Sequence, residues 1–155
     1  MRESGLPDWV QVQREDFSVA EHYQRLHQAA GSAGAVVFFV GQVRAESETD
    51  PVLALELEHY PAMTERAIAK IVEEAQSRWS LAGALVIHRY GRLETGAQIM
   101  MVATASRHRV DAFQAAEFLM DYLKSRAPFW KKELTKDGES WVEARDEDEN
   151  ALGRW

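Results

Sequence analysis

Strand-like and helix-like segments follow one another along this chain in an order that restricts the fold more than any other feature. Ser18 and Glu21 have capping-box spacing, and Val19, Tyr23, Leu26 and Ala30 then recur at helical intervals up to Gly31–Gly34. Ala35-Val36-Val37-Phe38-Phe39-Val40 is a β-branched and aromatic run that predicts a buried strand continuing to Arg44. After a polar, acidic loop over residues 45–51, Val52 to His59 alternates as a half-buried strand. Leu53, Leu55, Leu57 and His59 lie on one side, with Glu56 and Glu58 on the solvated other. Pro61 can open a helix. Its apolar stripe is Ala67, Ile68, Ile71, Val72, Ala75 and Trp79. Leu85–Tyr90 and Ile99–Ser106 read as two more strands. A third helix runs from Asp111, with Gln114 as capping partner, and is stopped by Pro128. Trp141–Ala144 reads as a short last strand, and the charged tail Asp146–Asn150 as solvated. Helices separated by adjacent strand pairs predict an α+β fold with a largely antiparallel sheet and three main helices.

The length of 155 residues suits a single domain spanning 1–155, with an acidic tail over about 146–155. A net charge of −7 argues against a general nucleic-acid binder, yet leaves room for a local basic pocket that takes a small anion. The absence of cysteine excludes disulfides, thiolate metal sites and cysteine nucleophiles. Residues 1–10 lack the apolar run of a signal peptide, and no stretch approaches the ~20 apolar residues of a membrane span. The expectation is a soluble, cytoplasmic protein. The five histidines have no zinc-site spacing, and neither a Gly-rich phosphate loop nor a nucleophile elbow is present.

Candidate chemistry gathers between Arg107 and Glu133. Arg107-His108-Arg109 lies where a strand hands over to the third helix, so free N–H groups and guanidinium groups converge as an anion site. The same residues also suit a solvated basic turn. Lys124 lies about 120° from the centre of the apolar stripe of Ala112, Ala115, Ala116, Leu119 and Leu123, counting about 100° per residue. That places it in partial shelter, with Arg126, Lys131 and Lys132 close in sequence. Crowded cations and burial lower a lysine pKa and make it a nucleophile or proton carrier. Phe129 and Trp130 can exclude water or stack on a flat ring. A helix end that attracts cations, followed by an aromatic plug, accounts for the segment equally well. Arg44 opens a loop, where ligand contacts and plain surface charges both occur. His59 and His88 read as hydrogen-bonded structural residues.

Leu57-Glu58-His59-Tyr60-Pro61, Val86-Ile87-His88-Arg89, His108-Arg109, Met120-Asp121-Tyr122-Leu123-Lys124 and Arg126-Ala127-Pro128-Phe129-Trp130-Lys131-Lys132-Glu133 together resemble the molybdopterin synthase large (catalytic) subunit family. The likeness runs in order from about Phe17 to Arg154-Trp155. It implies an α/β-hammerhead fold and a homodimer that binds one small ubiquitin-like subunit at each end. That partner ends in a Gly-Gly thiocarboxylate. Sulfur passes from the thiocarboxylate to cyclic pyranopterin monophosphate, forming the molybdopterin dithiolene, with no cofactor of the enzyme's own. By the same resemblance Lys124 and Lys131 are catalytic. Gln42, Val43, Arg44, His108, Arg109, Lys132 and Glu133 bind substrate, and Phe39 and Arg145 serve the partner's tail or the pocket. Two departures stand out: Arg107 occupies a position expected to be small, and Gln42 one where lysine is frequent. The alternative is a non-catalytic module of the same fold that only docks a ubiquitin-like partner; the presence of both Lys124 and Lys131 argues against it.

Overall fold

The structure is a computed structural model, and it describes residues 8–45, 51–142 and 146–155. Twelve helices and strands occur in the order β1 (Asp8–Gln13), α1 (Val19–Ala29), β2 (Ala35–Gln42), β3 (Ala54–His59), α2 (Met63–Arg78), β4 (Leu81–Arg89), β5 (Gly91–Glu94), β6 (Gln98–Ser106), α3 (Arg109–Arg126), β7 (Phe129–Thr135), β8 (Gly138–Val142) and α4 (Asp146–Ala151). The first sheet has the order β1-β4-β6-β2, the second β5-β3-β7-β8. Only β1 and β4 pair in parallel; every other pairing is antiparallel, as the adjacent strand pairs predict.

The first sheet is covered on both faces. Ile68, Ile71, Val72 and Ala75 of α2 and Phe118, Leu119 and Leu123 of α3 pack against Val86 and Val102 on one face. Phe17 and Leu26 pack against Leu85, Ile87, Met101 and Ala103 on the other. Side chains alternate between the faces of a strand, so β4 and β6 must be apolar at nearly every position, and both are. A third cluster, Val43, Val52, Leu57 and Leu93, lies under the second sheet. Gly91 takes the chain from β4 to β5 of the other sheet with φ of +89°, a left-handed conformation that side chains resist. A Cβ there would stand 2.9 Å from the Arg14 guanidinium.

Several expectations needed correction. α2 opens at Met63 behind Ala62, whose φ is +66°, rather than at Pro61. α3 begins at Arg109 behind His108; Gln114 does not cap it but accepts a hydrogen bond from Trp79 Nε1 at 2.9 Å. Ser18, by contrast, accepts from the Glu21 N–H at 3.2 Å and caps α1. Leu53 precedes β3 and is exposed. β1, β5 and β7 were not expected as strands; β1 and β5 are too short for their alternation to stand out. Asp146–Asn150, expected as a solvated tail, are largely exposed but helical, and the residues after them return to the core. α4 and a 3₁₀ turn over Leu152–Arg154 carry Trp155 into edge contact with Trp79 and Phe118. Its indole N–H donates to Asp121 at 2.7 Å. Residues 46–50, within the predicted loop, and 143–144, at the predicted end of the last strand, lie outside the described residues. Among the described residues no helix is long and apolar enough to cross a membrane.

Candidate active site

The two sheets meet at the start of β7, and there Lys131 is half-buried. Its register partner across β3 is the buried Leu57, and on the other side it pairs with Val142 of β8. Phe129, Lys131 and Glu133 share one face of β7; Trp130 and Lys132 share the other. The Lys124 amine, from the last turn of α3, comes within hydrogen-bonding reach of the Lys131 amine.

Burial is the main cause that pushes the Lys131 pKa down to about 8, followed by repulsion from Lys124; Arg44 adds to it and Asp148 of α4 opposes it. An ammonium loses hydration when buried and is repelled by its like-charged neighbours, so the neutral amine is favoured. Near neutral pH such a group can take or give a proton, or act as a nucleophile. His88 stands beneath, at the end of β4. Burial pushes its pKa down to about 4, with Lys131, Lys124 and His59 lowering it further against a hydrogen bond to Arg89. His59 is lowered as well, first by burial. The site therefore holds lysines above neutral imidazoles.

The structure brings together Lys124, Lys131 and Arg44 and separates others from them. Lys124 is exposed, against the partial shelter expected from the helical wheel, and Lys131 is the half-buried member of the pair. Val43 is core: its side chain is 3% exposed among Val52, Leu57 and Leu93. Its N–H donates to the Ala97 carbonyl at 3.0 Å, and its carbonyl accepts from Gly96 at 2.9 Å. It has neither a side chain nor a backbone N–H free for substrate. Lys132 projects from the opposite face to Lys131, 3.4 Å from Glu139 and 4.6 Å above the Trp141 ring. Glu58, His59, Tyr60, Trp130 and Trp141 line a cavity of about 240 Å³ at this end of the sheet. Glu133 is half-buried on the Lys131 face. Gln42 is exposed at the end of β2, and Phe39 is exposed on the same edge strand. Arg107, His108 and Arg109 are exposed at the N-terminus of α3. Arg109 stands fifteen residues from Lys124 on one straight helix, which at about 1.5 Å per residue is about 22 Å. Within one chain the two groups do not share a pocket. Arg145 lies outside the described residues.

Sequence reasoning passed over three neighbours of the lysines. His88 and His59 were assigned to structure, and their burial beside the lysines comes from strand pairing that no local pattern reveals. Asp148 belonged to a tail read as solvated; the signal available was the terminal Trp155, an apolar side chain out of place in a free acidic tail. Among the described residues no group of His, Asp or Glu side chains converges as a metal site.

The sequence matches the family described as MoaE protein over residues 12–126. It is 60% identical over 146 residues to the molybdopterin synthase catalytic subunit of Cereibacter sphaeroides, covering 94% of this chain and 99% of that protein. It is 53% identical to the molybdopterin synthase catalytic subunit of Vibrio cholerae, covering 94% of this chain and 97% of that protein. Among solved structures, the molybdopterin cofactor biosynthesis protein E of Burkholderia multivorans shares the fold with a TM-score of 0.82 and 48% identity. It covers 96% of this chain and 97% of that one.

Proposed function

The chain belongs to the MoaE protein family, and on that premise we propose that it is the catalytic subunit of a molybdopterin synthase. In this reading it draws sulfur from the C-terminal thiocarboxylate of a small ubiquitin-like subunit. It delivers that sulfur to cyclic pyranopterin monophosphate, forming the dithiolene. The observation that carries the reading is the meeting of Lys131 and Lys124 beside Arg44, a basic cluster in a chain of net charge −7. Both reactants are anionic, and a cationic, partly dehydrated site attracts both and stabilises charge that develops during transfer. The sulfur must come from outside, since the chain has no cysteine of its own to carry it.

Lys131, with its pKa pushed down to about 8, is suited to exchange a proton with the reacting centre. Lys124, exposed at the mouth, is suited to receive the partner's tail. Arg44 and Glu133 complete the pocket wall. His108 and Arg109 are assigned to the substrate phosphate, and their distance from Lys124 means they reach such a site only from a second copy of the chain. Exposed Phe39 on the open edge of β2 and exposed Val110 and Phe113 on the adjoining turns of α3 support a homodimer through this region. Two small subunits would then make a heterotetramer, acting in the cytoplasm.

The test is to mix the protein with thiocarboxylated small subunit and cyclic pyranopterin monophosphate and to measure dithiolene product. Product from the wild-type chain, with little from Lys131→Ala or Lys124→Ala, is the expected result. A wild-type chain that binds the small subunit and yields no product would instead make it a docking module.

A further inference from the structure

Beneath Lys131 a stack of rings joins the two sheets, and its members have no assigned part in the reaction. His88, at the end of β4, is 7% exposed. Its Nδ1 donates to the Arg89 carbonyl at 2.8 Å, which leaves the other ring nitrogen without the proton. The imidazole lies flat on Phe129, with centroids 3.8 Å apart and planes inclined by 17°. Phe129 is the first residue of β7 and shares a strand face with Lys131 two positions on. His59, opposite Phe129 in the register, closes the stack against Tyr90 at 4.2 Å. Arg14 lies over the Tyr90 ring from the other side, 4.8 Å from its centroid.

We propose that His88 is a positioning residue for Lys131, its ring clamped against Phe129 so that the start of β7, and with it the Lys131 amine, is fixed over an apolar floor. The proposal rests on the role given to Lys131 above. β7 has one neighbour, β8, that is exposed along its whole length, so the second sheet supplies little rigidity from that side. The His88–Phe129 stack instead ties β7 to the buried first sheet through β4. An imidazole serves here because it combines a flat ring with a donor for the Arg89 carbonyl. A phenyl ring lacks the donor and an amide lacks the ring. The groups around Lys131 are Lys124 from α3, Arg44 after β2, Asp148 from α4, Glu133 on its own strand face, and His88 from β4 with His59 beside it. The cations Lys124 and Arg44 already lower the proton affinity of Lys131, and a charged imidazole in the floor would add to that repulsion.

The experiment follows the rate at which an amine-reactive reagent modifies Lys131 as a function of pH, read by peptide mass spectrometry on the full chain. It compares wild type, His88→Asn (donor kept, ring lost) and His88→Phe (ring kept, donor lost). In wild type the rate should rise with an inflection near 8. In His88→Asn water enters under the amine, and the inflection should move up by about one pH unit, toward free lysine. His88→Phe should keep the wild-type inflection. Phe129→Leu removes the stack from the other side and should shift the inflection as His88→Asn does, which preserves the test if His88→Asn does not fold. An unchanged inflection in folded His88→Asn or Phe129→Leu overturns the proposal. In the product assay, kcat of His88→Asn and Phe129→Leu should fall about ten- to a hundredfold with KM for the small subunit unchanged, while His88→Phe stays near wild type. Because modification is read without turnover, a chain with no synthase activity would defeat the functional reading and leave this measurement standing.

Discussion

β6 and β7 are consecutive strands separated only by α3, and they are built differently. From Met100 to Ser106 every residue of β6 is buried, with helices on both faces. In β7 only Leu134 is buried, and cationic side chains leave both faces. β6 tolerates no charge, because a cation there would lose its hydration with nothing in exchange. β7 sits at the boundary, where a lysine can be dehydrated enough to change its proton affinity and still reach a ligand. The buried sheet is the scaffold, and the marginal sheet is where the proposed chemistry can be placed.

The sharpest way to break this comparison is to remove the Lys131 amine. Lys131→Ala should lower the rate of product formation by about 10²–10⁴-fold, the usual contribution of a positioned proton carrier. Its thermal midpoint should not fall, since the folded state already disfavours that charge. A large drop in midpoint would make Lys131 a scaffold residue. Phe118→Ala probes the other side. Phe118 is fully buried against Trp79, Tyr122 and Trp155, and its truncation should cost about 3–5 kcal/mol in denaturant unfolding.

His88 links the two regions, and acid unfolding reads it. Its pKa is about 4 in the folded chain against 6.5 ordinarily, so between those values the unfolded chain binds more protons. Stability should therefore fall as pH drops from 6.5 to 4, by about 3 kcal/mol from this group, and no further below that. His88→Phe should flatten that part of the curve; an identical slope would show that other groups set it. The smallest effect is expected at Lys132, adjacent to Lys131 but on the opposite face. Lys132→Ala should change the rate by less than about fivefold, since its ion pair is with an exposed carboxylate on the face away from Lys131. A loss matching that of Lys131→Ala would mean that the two faces of β7 work as one site.

Much of the scaffold was legible in the chain's local patterns. The runs at β2, β4 and β6 and the apolar stripes of α2 and α3 are local patterns set by side-chain periodicity, and the Ser18 cap is local too. The motif from Lys124 to Glu133 also named the lysines, through resemblance rather than periodicity. Tertiary structure decided which lysine is sheltered, since the wheel of α3 carries no information about the burial of a residue on β7. It moved Val43 from the pocket into the core, turned Lys132 to the far face, and put His108 and Arg109 a helix length away. It also placed His88 and His59 under the amine. Proton affinity and access depend on dehydration and on charges brought close by strand pairing between segments far apart in the chain. Periodicity along one segment has no term for either.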